Sequence, residues 1–275
     1  MSSVVSSDGT AIAFEAAGAG PPVIIVDGAL AYREVGPSAK LAGELSRRFT
    51  VYRYDRRGRG GSGDASAYSV EREIDDIQAL IDRAGGSASL VGISSGGVLT
   101  LEAASRRLPV TKLVVYEAPF IIDDSREPFP MDYGEQLDRL VAADRRGEAV
   151  KLFMKQVGLP RFLIAAMPLF PGWHKLKAVA PTLRYDAMIM GATQAGRPLP
   201  TDRWRAGVPA LVADGAKSPA WLKRASDALA GVLPSATRRT IEGANHMMQA
   251  GRVGPVLTPF LLDSLPSDDR ARESL

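Results

Sequence analysis

Ser89-Leu90-Val91-Gly92-Ile93-Ser94-Ser95-Gly96-Gly97-Val98-Leu99 is the stretch whose reading decides the fold. Up to Ile93 the apolar residues read as a buried strand, and beyond Gly97 the spacing of Leu99, Leu101 and Ala103 reads as a helix. Between them stands Gly-x-Ser-x-Gly, from Gly92 to Gly96. In a chain rich in Gly and Ser that pattern alone carries little; on a strand–turn–helix junction it carries much more. A serine on so sharp a turn needs small neighbours, because strand and helix pass close to it. The helix N-terminus also aims free N–H groups at negative charge developing near Ser94. Ser94 is therefore the candidate nucleophile. Ser95, its rival, occupies the slot whose backbone N–H serves an oxyanion hole.

Working outward, short apolar runs at 22–26, 50–54, 112–116, 210–213 and 237–241 read as further strands, and 10–16 follows an Asp8-Gly9 turn as part of a hairpin. Helical spacing marks 37–48, 95–107, 218–232 and 252–264. Val70, Ile74, Ile77 and Ile81 mark another helix, closed by Gly85-Gly86. Alternation of this kind predicts an α/β fold with a mostly parallel sheet covered by helices on both faces. From 123 to 203 the pattern changes to helices near 132–146, 148–157, 161–167 and 174–190, punctuated by prolines. We expect a core formed by 1–122 and 204–275, and a helical cap, 123–203, over the strand C-termini where such sheets place their sites. Residues 267–275 read as a polar frayed tail.

The composition excludes several classes. With 275 residues and 45% apolar content, one large buried core is within reach. The net charge is +3 and the arginine pairs are scattered, so no nucleic-acid partner is expected. There is no cysteine, which excludes disulfides and thiol nucleophiles. Two histidines, His174 and His246, are too few for an ordinary metal site, so no metal and no cofactor are expected. The N-terminus does not read as a signal peptide, and no apolar run approaches the ~20 residues of a membrane span. The expectation is a cytoplasmic protein without membrane association; the sequence does not speak to its oligomeric state.

Asp27-Gly28, the turn Asp55-Arg-Arg-Gly-Arg-Gly-Gly-Ser62, the Gly92–Gly97 motif and a late His, in that order, resemble the α/β-hydrolase superfamily over about residues 10–265. The resemblance implies an eight-stranded, mostly parallel sheet and a Ser-His-acid triad. His246, in Glu242-Gly-Ala-Asn-His-Met-Met just after the last strand, falls where that superfamily keeps its base; His174 falls in the mobile cap. The commonest acid position, Gly-x-x-Asp after 210–213, here reads Gly215-Ala-Lys-Ser218, with Asp214 one step ahead of the glycine. A second placement in the superfamily, the end of the strand after the nucleophile helix, holds Glu117. Glu117 is the first candidate acid and Asp214 the alternative. Gly28 keeps the glycine of the relatives' oxyanion turn and so permits the turn that aims the next N–H into the site, and the resemblance assigns the N–H groups of Ala29 and Ser95 to the oxyanion hole. Asp27 stands where many relatives carry His, and could orient the loop or face the pocket.

Trp173, beside Pro171-Gly172 in an apolar cap, and Gly28 are the candidate substrate contacts. Asp-Gly at the oxyanion loop, Gly-x-Ser-Ser-Gly at the elbow and Glu-x-Pro after the next strand together resemble the zearalenone-type lactone hydrolases. The expected activity is hydrolysis of a carboxylic ester or lactone on an apolar or aromatic small molecule, through an acyl-enzyme. The alternatives are a carbon–carbon bond hydrolase or cofactor-free perhydrolase of the same fold, and a non-catalytic ligand receptor.

Overall fold

Strict period-two alternation in the central strands sorts their side chains onto two faces. A computed structural model, which describes residues 2–65 and 67–263, shows one eight-stranded sheet among them. Its strands are β1 (Ser2–Val5), β2 (Ala11–Ala17), β3 (Pro22–Val26), β4 (Thr50–Tyr54), β5 (Ala88–Ile93), β6 (Val110–Tyr116), β7 (Ala210–Gly215) and β8 (Ala236–Ile241). The spatial order is β1-β2-β4-β3-β5-β6-β7-β8. β1 and β2 form the expected antiparallel hairpin, β2 joins β4 antiparallel, and every later pairing is parallel.

Ile24, Leu90, Leu113, Val115 and Val212 face one layer, and Ile25, Val91, Val114, Tyr116 and Leu211 face the other. The first layer is closed by α2 (Val70–Arg83), α3 (Ser95–Ser105) and α9 (Ala220–Val232); the second by α1 (Ser38–Leu45) and α10 (Ala250–Leu262). Strands buried on both faces need such double cover, because each face sheds apolar surface from water. No helix among the described residues is long and apolar enough to cross a membrane. The expected tail at 267–275, and residue 264 of the expected last helix, lie outside the described residues.

Between β6 and β7 the described chain is helical: α4 (Tyr133–Ala142), α5 (Arg146–Gln156), α6 (Arg161–Ala166), α7 (Trp173–Val179) and α8 (Leu183–Met190). Two sequence expectations change here. The helix expected over 132–146 stops at Ala142, and Asp144 takes a left-handed φ of 52° before α5 begins. The single helix expected over 174–190 is two, separated by a short 3-10 turn at Ala180–Thr182. Pro181 lacks an N–H and its ring crowds the preceding turn, so an uninterrupted helix is costly there. A third apolar cluster joins these helices to the loop after β3: Leu30 and Tyr32 pack with Tyr133, Leu137, Val150, Val179 and Leu183.

Candidate functional site

Ile93, Tyr116 and Ala213 are register partners across β5, β6 and β7. Ser94, Glu117 and Asp214 therefore line up one residue further on, at three neighbouring strand ends. The ladder continues into them: Ser94 N–H donates to Tyr116 O at 2.9 Å and Glu117 N–H to Ala213 O at 3.0 Å.

Ser94 has φ 56° and ψ −128°, a conformation that costs a non-glycine residue about 1–3 kcal/mol and recurs at functional sites. The surrounding glycines are what permit it. A Cβ on Gly92 would lie 2.5 Å from Gly97 Cα, and one on Gly96 would lie 2.3 Å from Val26 O. Gly28 belongs to the same packing problem: its Cβ would lie 2.9 Å from Ser94 Cβ and 3.4 Å from Ser94 Oγ. The loop after β3 thus borders the serine directly, as a candidate oxyanion loop must. The first N–H groups of a helix have no partner within it, which leaves Ser95 N–H, at the start of α3, available to a ligand.

His246 Nδ1 lies 2.8 Å from Glu117 Oε2. The carboxylate is fully buried, whereas the imidazole is 43% exposed. The other oxygen, Oε1, accepts the Gly215 N–H at 2.7 Å and the Ser218 hydroxyl. With Oε1 taken by these two donors, Oε2 is left to accept the His246 Nδ1–H, the tautomer in which Nε2 is free to take a proton. Ser218, in the position that the commonest acid would fill, instead donates to Glu117. Like Ser94, Glu117 has a positive φ, 49°.

The loop that carries His246 is fixed at several points. Tyr116 Oη donates to Asn245 O at 2.7 Å; burial, and then the Glu117 charge, push its phenol upward, so it stays a donor. Asn245 and Gln249 bond each other twice, N–H to Oε1 at 2.8 Å and Nε2 to Oδ1 at 2.7 Å. A Cβ on Gly215 would lie 2.3 Å from Ala244 O, so glycine at the end of β7 lets this loop close down.

The alternative acid, Asp214, is equally buried, but its carboxylate pairs with Arg238 on β8. The geometry brings His246 to Glu117 and not to Asp214. His174 is exposed on α7. Asp27 is buried: Oδ2 accepts the Ser38 hydroxyl at 2.5 Å, and Oδ1 has no partner among the described residues. Burial pushes its carboxyl up to about 6, against the pull of Ser38 and nearby arginines. Trp173 is half-buried against α5, where a Cβ on Gly147 would lie 3.0 Å from its ring, and it joins Ala29, Phe129, Phe153 and Met154 around the third apolar cluster. No group of His, Asp and Glu side chains among the described residues could hold a metal ion. Two open surface clefts, one lined by Val70, Glu102 and Arg203 and one by Lys40, Arg47 and Arg252, contain none of these site residues.

Sequence reasoning missed Ser218, Gly215, Tyr116 and the Asn245–Gln249 pair as supports. For Ser218 a signal existed: a hydroxyl at the usual acid position in a chain with a carboxylate at the alternative one.

A family model described as the alpha/beta hydrolase family matches residues 16–252. An alpha/beta hydrolase from Sphaerobacter thermophilus DSM 20745 is 48% identical, with a TM-score of 0.87 over 94% of this chain and 99% of that one. A thermophilic esterase from Thermogutta terrifontis is 22% identical, with a TM-score of 0.64 over 94% of this chain and 97% of that one. The enol-lactonase from Burkholderia xenovorans LB400 is 19% identical, with a TM-score of 0.67 over 95% of this chain and 100% of that one. No curated protein sequence matches.

Proposed function

The chain belongs to the alpha/beta hydrolase family, and we propose that within it the protein is a serine hydrolase acting on a carboxylic ester or lactone. The observation that carries this reading is the 2.8 Å contact between His246 and the buried Glu117, one strand end away from Ser94 on its strained turn.

In the proposed reaction Ser94 Oγ attacks the acyl carbonyl while His246 Nε2 takes its proton. Glu117 holds the ring and stabilises the imidazolium that forms. The N–H groups of Ala29 and Ser95 receive the oxyanion. His246 then gives the proton to the leaving alkoxide, which in a lactone remains tethered to the acyl group. Water, deprotonated by His246, releases the acid and restores Ser94. The reading requires no metal and no cofactor.

The helical segment 123–203 acts in this reading as a cap that shapes an apolar pocket. Ala29 sits in the same cluster as Phe129, Phe153, Met154 and Trp173, which favours an apolar or aromatic small-molecule substrate. Trp173 and Gly28 are the proposed contacts to it. The esterase and the enol-lactonase of the same fold support the reaction class in kind. A fluorophosphonate should label the protein, Ser94→Ala should abolish labelling, and a panel of short esters, long esters and lactones should show turnover. Absence of labelling, or labelling that survives Ser94→Ala, would overturn the reading.

A further inference from the structure

Beneath the oxyanion loop lies a buried ionic cluster that this reaction scheme leaves unused. Its members are Arg56 and Arg59 from the turn after β4, Glu73 from α2 and Asp186 from α8. Arg56 binds Glu73 with two bonds, Nε to Oε2 at 2.7 Å and Nη2 to Oε1 at 2.6 Å. Its Nη1 donates to Asp186 Oδ1 at 2.7 Å, and Arg59 Nη2 donates to Asp186 Oδ2 at 2.6 Å. Two cations and two anions balance, and each is hydrogen-bonded, which is the condition for charge to persist in the interior. Burial opposes the Asp186 charge, but Arg59 and Arg56 outweigh it and hold the carboxyl below its ordinary range.

The cluster grips both sides of the proposed oxyanion hole. Ser95 Oγ donates to Asp186 Oδ1 at 2.7 Å. Arg59 Nη1 donates to Gly28 O at 2.6 Å and Ala31 O at 3.1 Å, and Arg56 Nη1 reaches Asp27 O at 3.3 Å. Gly28 C=O and Ala29 N–H belong to one peptide unit, and in a trans peptide they point in opposite directions. The Arg59 contact therefore aims the Ala29 N–H away from the cluster, on a peptide that borders Ser94. Arg59 Nε also donates to Thr182 Oγ1 at 3.0 Å, a second tie to the segment leading into α8.

We propose that Asp186 is a positioning residue: through Ser95 and Arg59 it fixes the two N–H groups that receive the oxyanion, so their alignment depends on α8 being docked. The proposal rests on the serine-hydrolase reading above. It gives the helical segment a part in the chemistry as well as in the pocket. Asp186 itself touches no reacting atom, so its loss should act on kcat and spare KM.

The test uses the full chain, a p-nitrophenyl ester and a fluorophosphonate, with kcat normalised to titrated active sites. Asp186→Asn should lower kcat per site about 100-fold, the cost of misplaced catalytic groups, with KM nearly unchanged. Phosphonylation should slow in parallel, since the phosphonyl oxygen uses the same donors. Ser95→Ala removes one hydroxyl from the cluster and keeps the N–H; it should lower kcat per site about tenfold, as expected for one bond to a charged group, in a protein that stays folded with a full count of titratable sites. That variant decides the matter if Asp186→Asn does not fold. A merely structural role would reduce the fraction of active sites and leave kcat per site at the wild-type value; that result in Ser95→Ala overturns the proposal. A wild-type protein that the fluorophosphonate does not label overturns the serine reading instead, so the two failures are distinct.

Discussion

The ends of β6 and β7 are neighbours in one parallel sheet, each closes on a carboxylate, and both carboxylates are fully buried. Glu117 receives His246, the Gly215 N–H and the Ser218 hydroxyl. Asp214 receives Arg238. Position on the sheet and burial are shared, so they do not determine what each group does. Their partners differ: Asp214 pairs with Arg238, whereas Glu117 pairs with His246, which suits Glu117 to the orienting part proposed for it. The two strand ends also divide the loop around them. Gly215, next to Asp214, admits the backbone at Ala244, and the loop after β8 passes the end of β7 there to set His246 against Glu117 at the end of β6.

The largest effect expected from this contrast is on turnover. Glu117→Ala should lower kcat about 10,000-fold, as loss of the orienting carboxylate does in Ser-His-acid sites. Asp214→Asn should leave kcat per active site near wild type and act on stability, by only about 2 kcal/mol, because the partner Arg238 is partly exposed and keeps a second acid, Asp227. Steady-state kinetics and urea denaturation on both variants read the two axes. If the kinetic loss falls on Asp214 instead, the assignment of the acid is reversed.

A third buried carboxylate sharpens the same comparison. Asp27 follows β3 at the other side of Ser94, and it has neither a histidine nor a direct arginine bond at its side chain. Burial raises its pKa from 3.8 to about 6. The folded state therefore prefers the protonated form. The stability this group contributes is complete below about pH 3.8 and is lost as pH rises through about 6. Asp27→Asn keeps an acceptor for Ser38 and cannot ionise. At pH 8 it should be more stable than wild type by up to about 3 kcal/mol, with the gap closing near pH 4. Denaturation of both proteins at the two pH values checks this; a gap of equal size at both removes the burial argument.

Much of this was legible in the sequence because it is local. The strands from β3 to β8 announce themselves by short β-branched runs, and the elbow by small residues at the places where any Cβ would collide. Ser94 and His246 follow from such local context and chain order. Glu117 ranks ahead of Asp214 in the sequence only through the family resemblance, since both are strand-end acids. What sets the two apart in space, Arg238 beside Asp214 and the backbone of Ala244 against Gly215, comes from residues distant in sequence. The Asp186 cluster was further out of reach: its contacts to Ser95, Arg56 and Arg59 join positions 91 to 130 residues apart. In sequence Arg56-Arg57 is one of several scattered arginine pairs, and nothing local marks it or Arg59 for the interior, yet the structure buries all three. Buried charge is the least local of all sequence features, because its partners come from tertiary contacts alone.

The smallest effect concerns the hydroxyl that stands where an acid is usual. Ser218 donates to Glu117 Oε1, beside the Gly215 N–H. Removing it leaves one donor on that oxygen and loosens the carboxylate's hold on its orientation. A hydrogen bond to a charged group is worth about 1.5–3 kcal/mol, but the Gly215 N–H remains and the His246 contact is made by the other oxygen. Ser218→Ala should therefore cost about tenfold in kcat, at the low end of that range. Ser218→Asp separates support from substitution. A second carboxylate beside Glu117 repels its charge, so one of the pair should take up a proton. In the wild-type background that should lower activity more than Ser218→Ala. In the Glu117→Ala background the new acid, no longer opposed, should restore part of the lost turnover. Failure of that restoration, with both proteins folded, would mean that the end of β7 cannot present an acid to His246 in this chain.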